Sequence, residues 1–155
     1  MPEVGDSAPD FVLYDCNRKQ RRLSEFLTEG HRTIVAFFPG AFTGVCTQEM
    51  CAFRDMYVEL EKLNAAVVGI SVDAPFAQKA FAEKNSLTFP LLCDFQRETV
   101  QKYGVVWKNL GGVEGYVCAN RSIFFLDHSG KILFKWIAPD PGTLPDFEAV
   151  KRALR

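Results

Sequence analysis

Two almost wholly apolar runs, separated by an amphipathic segment, constrain the fold of this chain more than any other feature. The first run, residues 33–38, is rich in β-branched and aromatic residues, and the second covers residues 65–72. Such runs are typical of strands buried on both faces of a sheet. Because a strand–helix–strand connection requires parallel strands with the helix packed on a sheet face, the pattern predicts an α/β fold.

The amphipathic segment between the two runs predicts one long helix. Pro39 and Gly40 end the preceding strand, and we expect the helix to begin between Thr43 and Thr47. Its apolar positions recur at helical spacing while most charged residues fall outside them. These positions are Phe53, Met56, Tyr57, Leu60 and Leu63.

The rest of the chain continues the alternation of strands and helices. We predict strands at residues 11–14, 88–92, 122–126 and 131–137, with a hairpin turn at residues 127–130. We predict helical segments at residues 23–27, 75–84 (capped by Asp73 or Ser71), 94–103 (capped by Asp94) and 147–154. Residues 15–22 are expected to form a polar turn, and residues 105–118 a loop rich in glycine and aromatic residues.

This order predicts a single domain over residues 1–155, with a mixed central sheet flanked by helices. The arrangement is compatible with a thioredoxin-like fold that carries an N-terminal extension, and it leaves a flavodoxin-like fold open. The formal net charge of −1 gives no basic field that would collect nucleic acid. The longest apolar runs fall far short of the ~20 residues that span a membrane, and the N-terminus does not read as a secretory signal. We therefore expect no membrane or nucleic-acid partner and a cytoplasmic location.

The segment where the first buried strand passes into the long helix carries the chemistry. Cys46 falls in or near the first helical turn, where free N–H groups and the positive end of the helix dipole favour a thiolate. Thr43 can direct its hydroxyl to the same space or act as an ordinary N-cap. Pro39 offers no N–H to that space, although it can equally be a plain strand terminator. The chain has five cysteines, and any of them can also be a small buried hydrophobe.

Pro39, Thr43 and Cys46 together match the Pro-x-x-x-Thr-x-x-Cys motif, and in this respect the chain resembles the peroxiredoxin family (the AhpC/TSA superfamily, with a thioredoxin-like fold). The flanks resemble that family too, in the same order along the chain. They are residues 5–11, 88–95, 103–105 and 121–127.

The resemblance implies a thiol-dependent peroxidase that reduces hydrogen peroxide and organic hydroperoxides. It implies that Cys46 is the peroxidatic cysteine, Arg121 the active-site arginine and Glu49 a support for that arginine, although an exposed helical glutamate is an open alternative. In this chemistry the thiolate becomes a sulfenic acid, and no metal or organic cofactor is needed. His31 and His128 show no recognisable zinc spacing with the cysteines.

Two subgroups remain open. Residues 41–46 and 119–121 resemble the AhpE-like group, whereas residues 46–55 resemble the bacterioferritin-comigratory, or PrxQ-like, group. The second group implies that Cys51 is a resolving cysteine; the first implies that an external thiol resolves Cys46. An intact helix would hold Cys46 and Cys51 too far apart for a disulfide, so the bond would require unwinding of the first turn.

The expected partners are a hydroperoxide and a thiol reductant such as thioredoxin or a low-molecular-weight thiol. We also expect a homodimer, because Tyr103, Trp107 and Tyr116 suggest an aromatic contact surface. Two alternatives use the same reactive thiol: a redox sensor, and a thiol–disulfide oxidoreductase on the same fold. The second is disfavoured because the chain lacks a Cys-x-x-Cys pair.

Overall fold

The computed structural model describes all 155 residues, Met1–Arg155. It contains nine strands, five α-helices and two short 3-10 turns. The strands are β1 (Val12–Asp15), β2 (Gln20–Arg22), β3 (Arg32–Phe37), β4 (Ala65–Ser71), β5 (Leu91–Cys93), β6 (Val106–Lys108), β7 (Val117–Ala119), β8 (Ser122–Leu126) and β9 (Ile132–Ile137). The helices are α1 (Gly44–Asp55), α2 (Tyr57–Lys62), α3 (Pro75–Lys84), α4 (Glu98–Lys102) and α5 (Phe147–Leu154), and the 3-10 turns are Leu23–Phe26 and Leu110–Gly112.

Seven strands form one mixed sheet in the order β2-β1-β5-β4-β3-β8-β9. The central strands β3, β4 and β5 are parallel, while β8 and β9 extend one side and β1 and β2 the other with antiparallel pairing. The predicted α/β fold with a mixed central sheet is confirmed. The parallel strands β3 and β4 are joined through α1 and α2, as the two apolar runs required.

The core lies in two layers, one on each face of the sheet. Alternate residues of β3 point to opposite layers: Ile34 and Ala36 pack under α1, α3 and α5, whereas Val35 and Phe37 pack on the side of α4. Burial on both faces explains why the run at residues 33–38 is apolar throughout, without the alternation of a half-exposed strand.

Several sequence expectations about single elements are wrong. The predicted single helix is broken at Met56, where ψ is 1°. The sequence did not show this break, because the apolar face continues through Met56 into Leu60. The supposed polar turn contains β2, an edge strand whose side chains are mostly exposed. The supposed loop at residues 105–118 contains β6 and most of β7, which form a separate two-stranded sheet.

Two helix starts differ from the prediction in their details. Neither Ser71 nor Asp73 caps α3, whose N-cap residue is Ala74 without a side-chain cap. The α4 helix begins at Glu98 rather than at Asp94, but the Asp94 carboxylate accepts hydrogen bonds from the Thr99 and Val100 amides. Asp94 therefore still accepts hydrogen bonds from amides in the first turn of α4, although it lies four residues before the helix begins.

The expected aromatic contact surface loses one of its three members. Tyr103 is 0% exposed, and its hydroxyl donates to the Pro9 carbonyl at 2.7 Å. Its ring packs against Phe37 and Phe124 in the core. No helix of the structure combines the length and apolar character that crossing a bilayer would require.

Candidate active site

Cys46 is the third residue of α1, directly beyond the carboxyl end of β3. Its side chain is 0% exposed and belongs to the core layer beneath α1. The first turn of a helix leaves its N–H groups without intrahelical acceptors, and the helix dipole is positive there. The predicted position of Cys46 at a helix N-terminus is therefore what the fold provides.

The Arg121 side chain reaches Cys46 from the junction between β7 and β8. Its Nη2 group donates to the Cys46 sulfur at 3.2 Å, and its Nη1 group donates to Glu49 Oε1 at 3.1 Å. The Pro141 carbonyl accepts from Nε at 3.1 Å and from Nη2 at 2.7 Å. Arg121 is 1% exposed, so a planar guanidinium with its donors fixed on three acceptors holds a positive charge against the sulfur.

Glu49 lies one turn after Cys46 and is 0% exposed, which excludes the alternative of an exposed helical glutamate. Burial raises the pKa of its carboxyl to about 7, while the neighbouring Arg121 works in the opposite direction. Its second oxygen, Oε2, has no hydrogen-bond partner. Near neutral pH the Glu49 carboxyl is thus close to half-protonated. When it is protonated, the Cys46 thiolate is the one anion left to pair with the positive charge of Arg121.

The loop before α1 brings Pro39 and Thr43 to the same end of the sheet. Pro39 is buried immediately after Phe38, where it contributes no N–H. Thr43 occupies the N-cap position, but its hydroxyl makes no capping bond and instead donates to the Gly40 carbonyl at 2.8 Å. Its oxygen therefore keeps lone pairs that can accept a hydrogen bond from a ligand.

Cys51 lies on the same helix as Cys46, within the unbroken span of α1. It is half-buried, and its thiol contacts Asn85 Oδ1 at 3.6 Å. A rise of about 1.5 Å per residue separates the two Cα atoms by at least about 7 Å along the axis, whereas disulfides join Cα atoms about 4.4–6.8 Å apart. The structure therefore holds both cysteines as free thiols that cannot bond without a change in α1.

None of the other three cysteines lies at the start of a helix. Burial raises the pKa of Cys118 to about 11 and that of Cys93 to about 12. Burial also raises the pKa of the half-buried Cys16. Because the thiolate is the nucleophilic form, these three thiols are poorly suited to react at neutral pH.

Two groups of this site carry no recognisable sequence signal. The Pro141 carbonyl, which fixes Arg121, is a backbone atom and could not be read from a residue type. Asp73 accepts a hydrogen bond from the Ala41 amide in the loop before α1 at 2.7 Å. Its position before a predicted helix favoured a capping role, and that local pattern concealed its contact with a residue 32 positions away.

A buried cysteine at a helix N-terminus, paired with a buried arginine on a thioredoxin-like sheet, defines a thiol-based redox enzyme. Comparison with known proteins narrows the class, because the AhpC/TSA family model matches residues 4–135. The chain belongs to this family, the peroxiredoxins, which are thiol-dependent peroxidases.

The relatives include both subgroups that the sequence left open. The chain is 38% identical over 130 residues to peroxiredoxin Bcp of Escherichia coli K12, covering 84% of this chain and 82% of the relative. It is 37% identical over 148 residues to alkyl hydroperoxide reductase E of Mycobacterium tuberculosis H37Rv, covering 94% and 92%. The crystal structure of peroxidoxin BcpB from Mycobacterium tuberculosis superimposes with a TM-score of 0.86 at 31% identity, covering 99% of this chain and 97% of that one.

Proposed function

We propose that the Cys46 thiolate attacks the near oxygen of a hydroperoxide. The new S–O bond oxidises Cys46 to a sulfenic acid, the O–O bond breaks, and the leaving alkoxide or hydroxide takes a proton to become an alcohol or water. The observation that carries this assignment is the 3.2 Å contact between Arg121 Nη2 and Cys46 Sγ at the start of α1. Among the five cysteines, Cys46 alone has this combination of arginine and helix N-terminus.

Charge on the oxygens of the peroxide changes as the O–O bond breaks. Arg121 and the free N–H groups of the first turn of α1 are donors fixed before the reaction begins, so they need little reorganisation. We assign Thr43 to hold the peroxide through its hydroxyl, and Pro39 to shield the thiolate without offering a competing donor. Glu49 acts through Arg121, whose Nη1 group it holds.

For the second step we propose that Cys51 resolves the sulfenic acid. The Cys51 thiol attacks Cys46, a disulfide forms, and the sulfenic hydroxyl leaves as water. An external dithiol or two low-molecular-weight thiols then reduce the disulfide. The step requires the first turn of α1 to unwind, which involves N–H groups that lack intrahelical partners in any case. The AhpE-like alternative, in which an external thiol attacks Cys46 directly, leaves α1 intact.

Mass spectrometry after one equivalent of peroxide tests both steps. We expect the natural protein to lose two hydrogens and give a peptide linked through Cys46 and Cys51. Cys46→Ser should abolish peroxide consumption, and Cys51→Ser should accumulate the sulfenic acid and overoxidise sooner. Cys16→Ser is the matched control, since Cys16 is also half-buried but lies on another element.

The possible outcomes separate the competing readings. A stable sulfenic acid with Cys51 still open to alkylation would establish external resolution. Oxidation of Cys46 without turnover by any thiol donor would favour a redox sensor. Reduction of insulin disulfides without peroxide turnover would favour a thiol–disulfide oxidoreductase. Full peroxidase activity of Cys46→Ser would overturn the assignment of Cys46.

The oligomer and the cellular setting follow as further parts of the proposal. We propose a homodimer, supported by two exposed aromatic side chains: Phe42, in the loop before Cys46, is 52% exposed, and Phe76, in the first turn of α3, is 70% exposed. We propose a cytoplasmic location, supported by five free cysteines, which suit a reducing compartment. The reductant is proposed to be thioredoxin or a low-molecular-weight thiol.

A further inference from the structure

The loop that delivers Cys46 is attached to the rest of the molecule by few polar contacts. Between residues 39 and 47, two hydrogen bonds reach groups outside this segment and α1. One joins Arg121 to the Cys46 sulfur at 3.2 Å. The other joins the Ala41 amide to Asp73 Oδ2 at 2.7 Å. The first of these involves the reacting sulfur itself and changes when Cys46 is oxidised, whereas the second is remote from the reacting atom.

The loop also holds a backbone conformation that needs support from outside. Phe42 has a φ of +66°, in the left-handed region that side-chain-bearing residues rarely adopt. Its side chain is half-exposed and contacts Phe81 of α3 with ring centroids 5.4 Å apart. Such a strained residue persists where the surrounding contacts fix it, and Asp73 binds the residue immediately before it.

Asp73 is itself fixed by the fully buried Ser71 at the end of β4, which is held in turn by the fully buried Gln78 on α3. Gln78 Nε2 donates to Ser71 Oγ at 2.7 Å and to the Leu92 carbonyl at 3.3 Å. The Ser71 hydroxyl in turn donates to Asp73 Oδ2 at 2.6 Å. We call Gln78, Ser71 and Asp73 the β4–α3 relay. It extends from the rigid centre of the sheet to the amide of Ala41.

We propose that Asp73 is a positioning residue that sets the balance between the folded loop, which reacts with peroxide, and the opened loop, which allows resolution. In the folded loop Cys46 contacts Arg121; in the opened loop the first turn of α1 is unwound. Breaking the bond to Ala41 removes the attachment that does not depend on the redox state of Cys46, so it favours the opened loop. The resolution half of this proposal rests on the proposed role of Cys51.

Three variants separate a positioning role from general destabilisation. Asp73→Ala removes the acceptor for the Ala41 amide. Asp73→Asn removes the charge but keeps an oxygen that can accept from Ala41 and Ser71. Asp127→Ala is the matched control, because Asp127 likewise accepts hydrogen bonds from backbone amides, here those of Ser129 and Lys131 in the distant turn between β8 and β9.

The first measurement is amide hydrogen exchange of peptides covering residues 39–50 in the reduced protein. Losing one hydrogen bond of ordinary strength should speed exchange in Asp73→Ala by roughly fivefold. Asp73→Asn and Asp127→Ala should leave it unchanged. This readout does not involve Cys51, so it tests the relay even if an external thiol resolves Cys46. Unchanged exchange in Asp73→Ala, or the same increase in Asp127→Ala, would overturn the proposal.

The second measurement follows a single turnover by rapid quenching and mass spectrometry. Asp73→Ala should speed formation of the Cys46–Cys51 disulfide by up to roughly fivefold, because the opened loop becomes that much more populated. Formation of the sulfenic acid should slow only in proportion to the folded loop that is lost, and overoxidation at high peroxide should decrease. A merely structural defect would not accelerate one step while it slows the other. Changes of both steps in the same direction would overturn the proposal. If no disulfide forms even in the natural protein, the role of Cys51 fails, and the exchange and sulfenic-acid measurements decide the role of Asp73.

If Asp73→Ala does not fold, Ser71→Ala takes its place. This variant keeps the Asp73 carboxylate but removes the hydroxyl that connects it to Gln78. It should give smaller changes in the same directions, and unchanged behaviour in both measurements would overturn the relay.

Discussion

At the scale of single residues, the site places two groups that can carry a negative charge, the Cys46 thiolate and the Glu49 carboxylate, against one buried positive charge, the Arg121 guanidinium. Arg121 contacts both the Cys46 sulfur and Glu49, and all three side chains are almost wholly excluded from solvent. A buried charge must be paired to be tolerated, and one guanidinium can balance one anion fully. The raised pKa of Glu49 fits this arrangement, since a neutral carboxyl leaves the guanidinium to the thiolate.

The first prediction concerns the charge that faces the thiolate. Arg121→Gln should slow peroxide consumption by about 10²–10³-fold, the usual effect of removing one preorganised donor. Arg121→Lys keeps the charge but loses the forked geometry, so its rate should lie between those of the natural protein and Arg121→Gln. Stopped-flow mixing with a hydroperoxide measures these rates. An unchanged rate in Arg121→Gln would leave this arginine a structural role only.

The second prediction concerns stability against pH. The folded protein keeps the Glu49 proton up to about pH 7, whereas the unfolded chain loses it near the ordinary value of 4.5. Unfolding therefore releases a proton between these values, and the free energy of unfolding should fall as pH rises from about 4.5 to about 7. Glu49→Gln keeps an acceptor for Arg121 but cannot titrate. Urea denaturation across this range should show the slope in the natural protein and less of it in the variant; equal slopes would contradict a raised pKa at Glu49.

At the scale of elements, the packing of α1 against the sheet depends on a close approach at β4. A Cβ atom at Gly69 would lie 2.7 Å from Leu91 Cδ2, 3.3 Å from Phe38 Cε1 and 3.5 Å from Met50 Sδ. The glycine thus lets the end of β3 and the body of α1 settle onto β4.

The third prediction tests this close approach. Gly69→Ala should lower the free energy of unfolding by about 1–3 kcal/mol through overpacking. The control is Gly44→Ala, since a Cβ at Gly44 meets nothing within 4 Å; alanine is also the better helix former. Denaturant unfolding gives both values. A Gly69→Ala protein as stable as the natural one would show that Leu91 and Phe38 can move aside without cost.

At the scale of the whole molecule, the site is assembled from parts of the chain that are far apart in sequence. Arg121 and Cys46 are separated by 75 residues, and Arg121 is oriented by the Pro141 carbonyl, which comes after the last strand. Cys46 is also a member of the core layer beneath α1. Opening the site for resolution therefore disturbs the core as well as the loop.

The fourth prediction follows because Cys46 belongs both to the site and to the core layer beneath α1. If Cys46 and Cys51 form a disulfide, the oxidised protein should melt several degrees below the reduced protein. The new loop is short, so it stabilises by only about 2 kcal/mol through restriction of the unfolded chain. Against this, the first turn of α1 unwinds, and withdrawal of Cys46 leaves the core layer beneath α1 incompletely packed. Calorimetry on the reduced and oxidised forms measures the difference, with Cys51→Ser as the control. A higher melting temperature on oxidation would show that the unwound turn repacks fully.

The fifth prediction is the assembly state. The exposed Phe42 and Phe76 predict a homodimer, whereas the buried Tyr103 takes no part in a contact surface. Sedimentation velocity across a wide concentration series should show a dimer, and Phe42→Ser should shift it towards monomer. A monomer at the highest concentration would end this proposal.

The sequence alone determined the α/β class, the buried central strands and the position of Cys46 at a helix start, because these depend on local periodicity and on turn residues. The resemblance of Pro39, Thr43 and Cys46 to a family motif was equally local, and the family model confirms the membership it implied. The break at Met56 was hidden because the apolar spacing continues through it. The edge strand β2 was missed because backbone pairing, not side-chain pattern, defines it.

The tertiary structure alone decided how the side chains meet. It buried Glu49 and Tyr103, turned Asp73 from a helix cap into a support for Ala41, and used the Pro141 carbonyl to orient Arg121. Each of these depends on residues distant in sequence that the sheet order brings together. The identity of a charged or polar residue does not reveal whether its side chain faces solvent or a buried partner. Only the packing of the sheet and helices determines this.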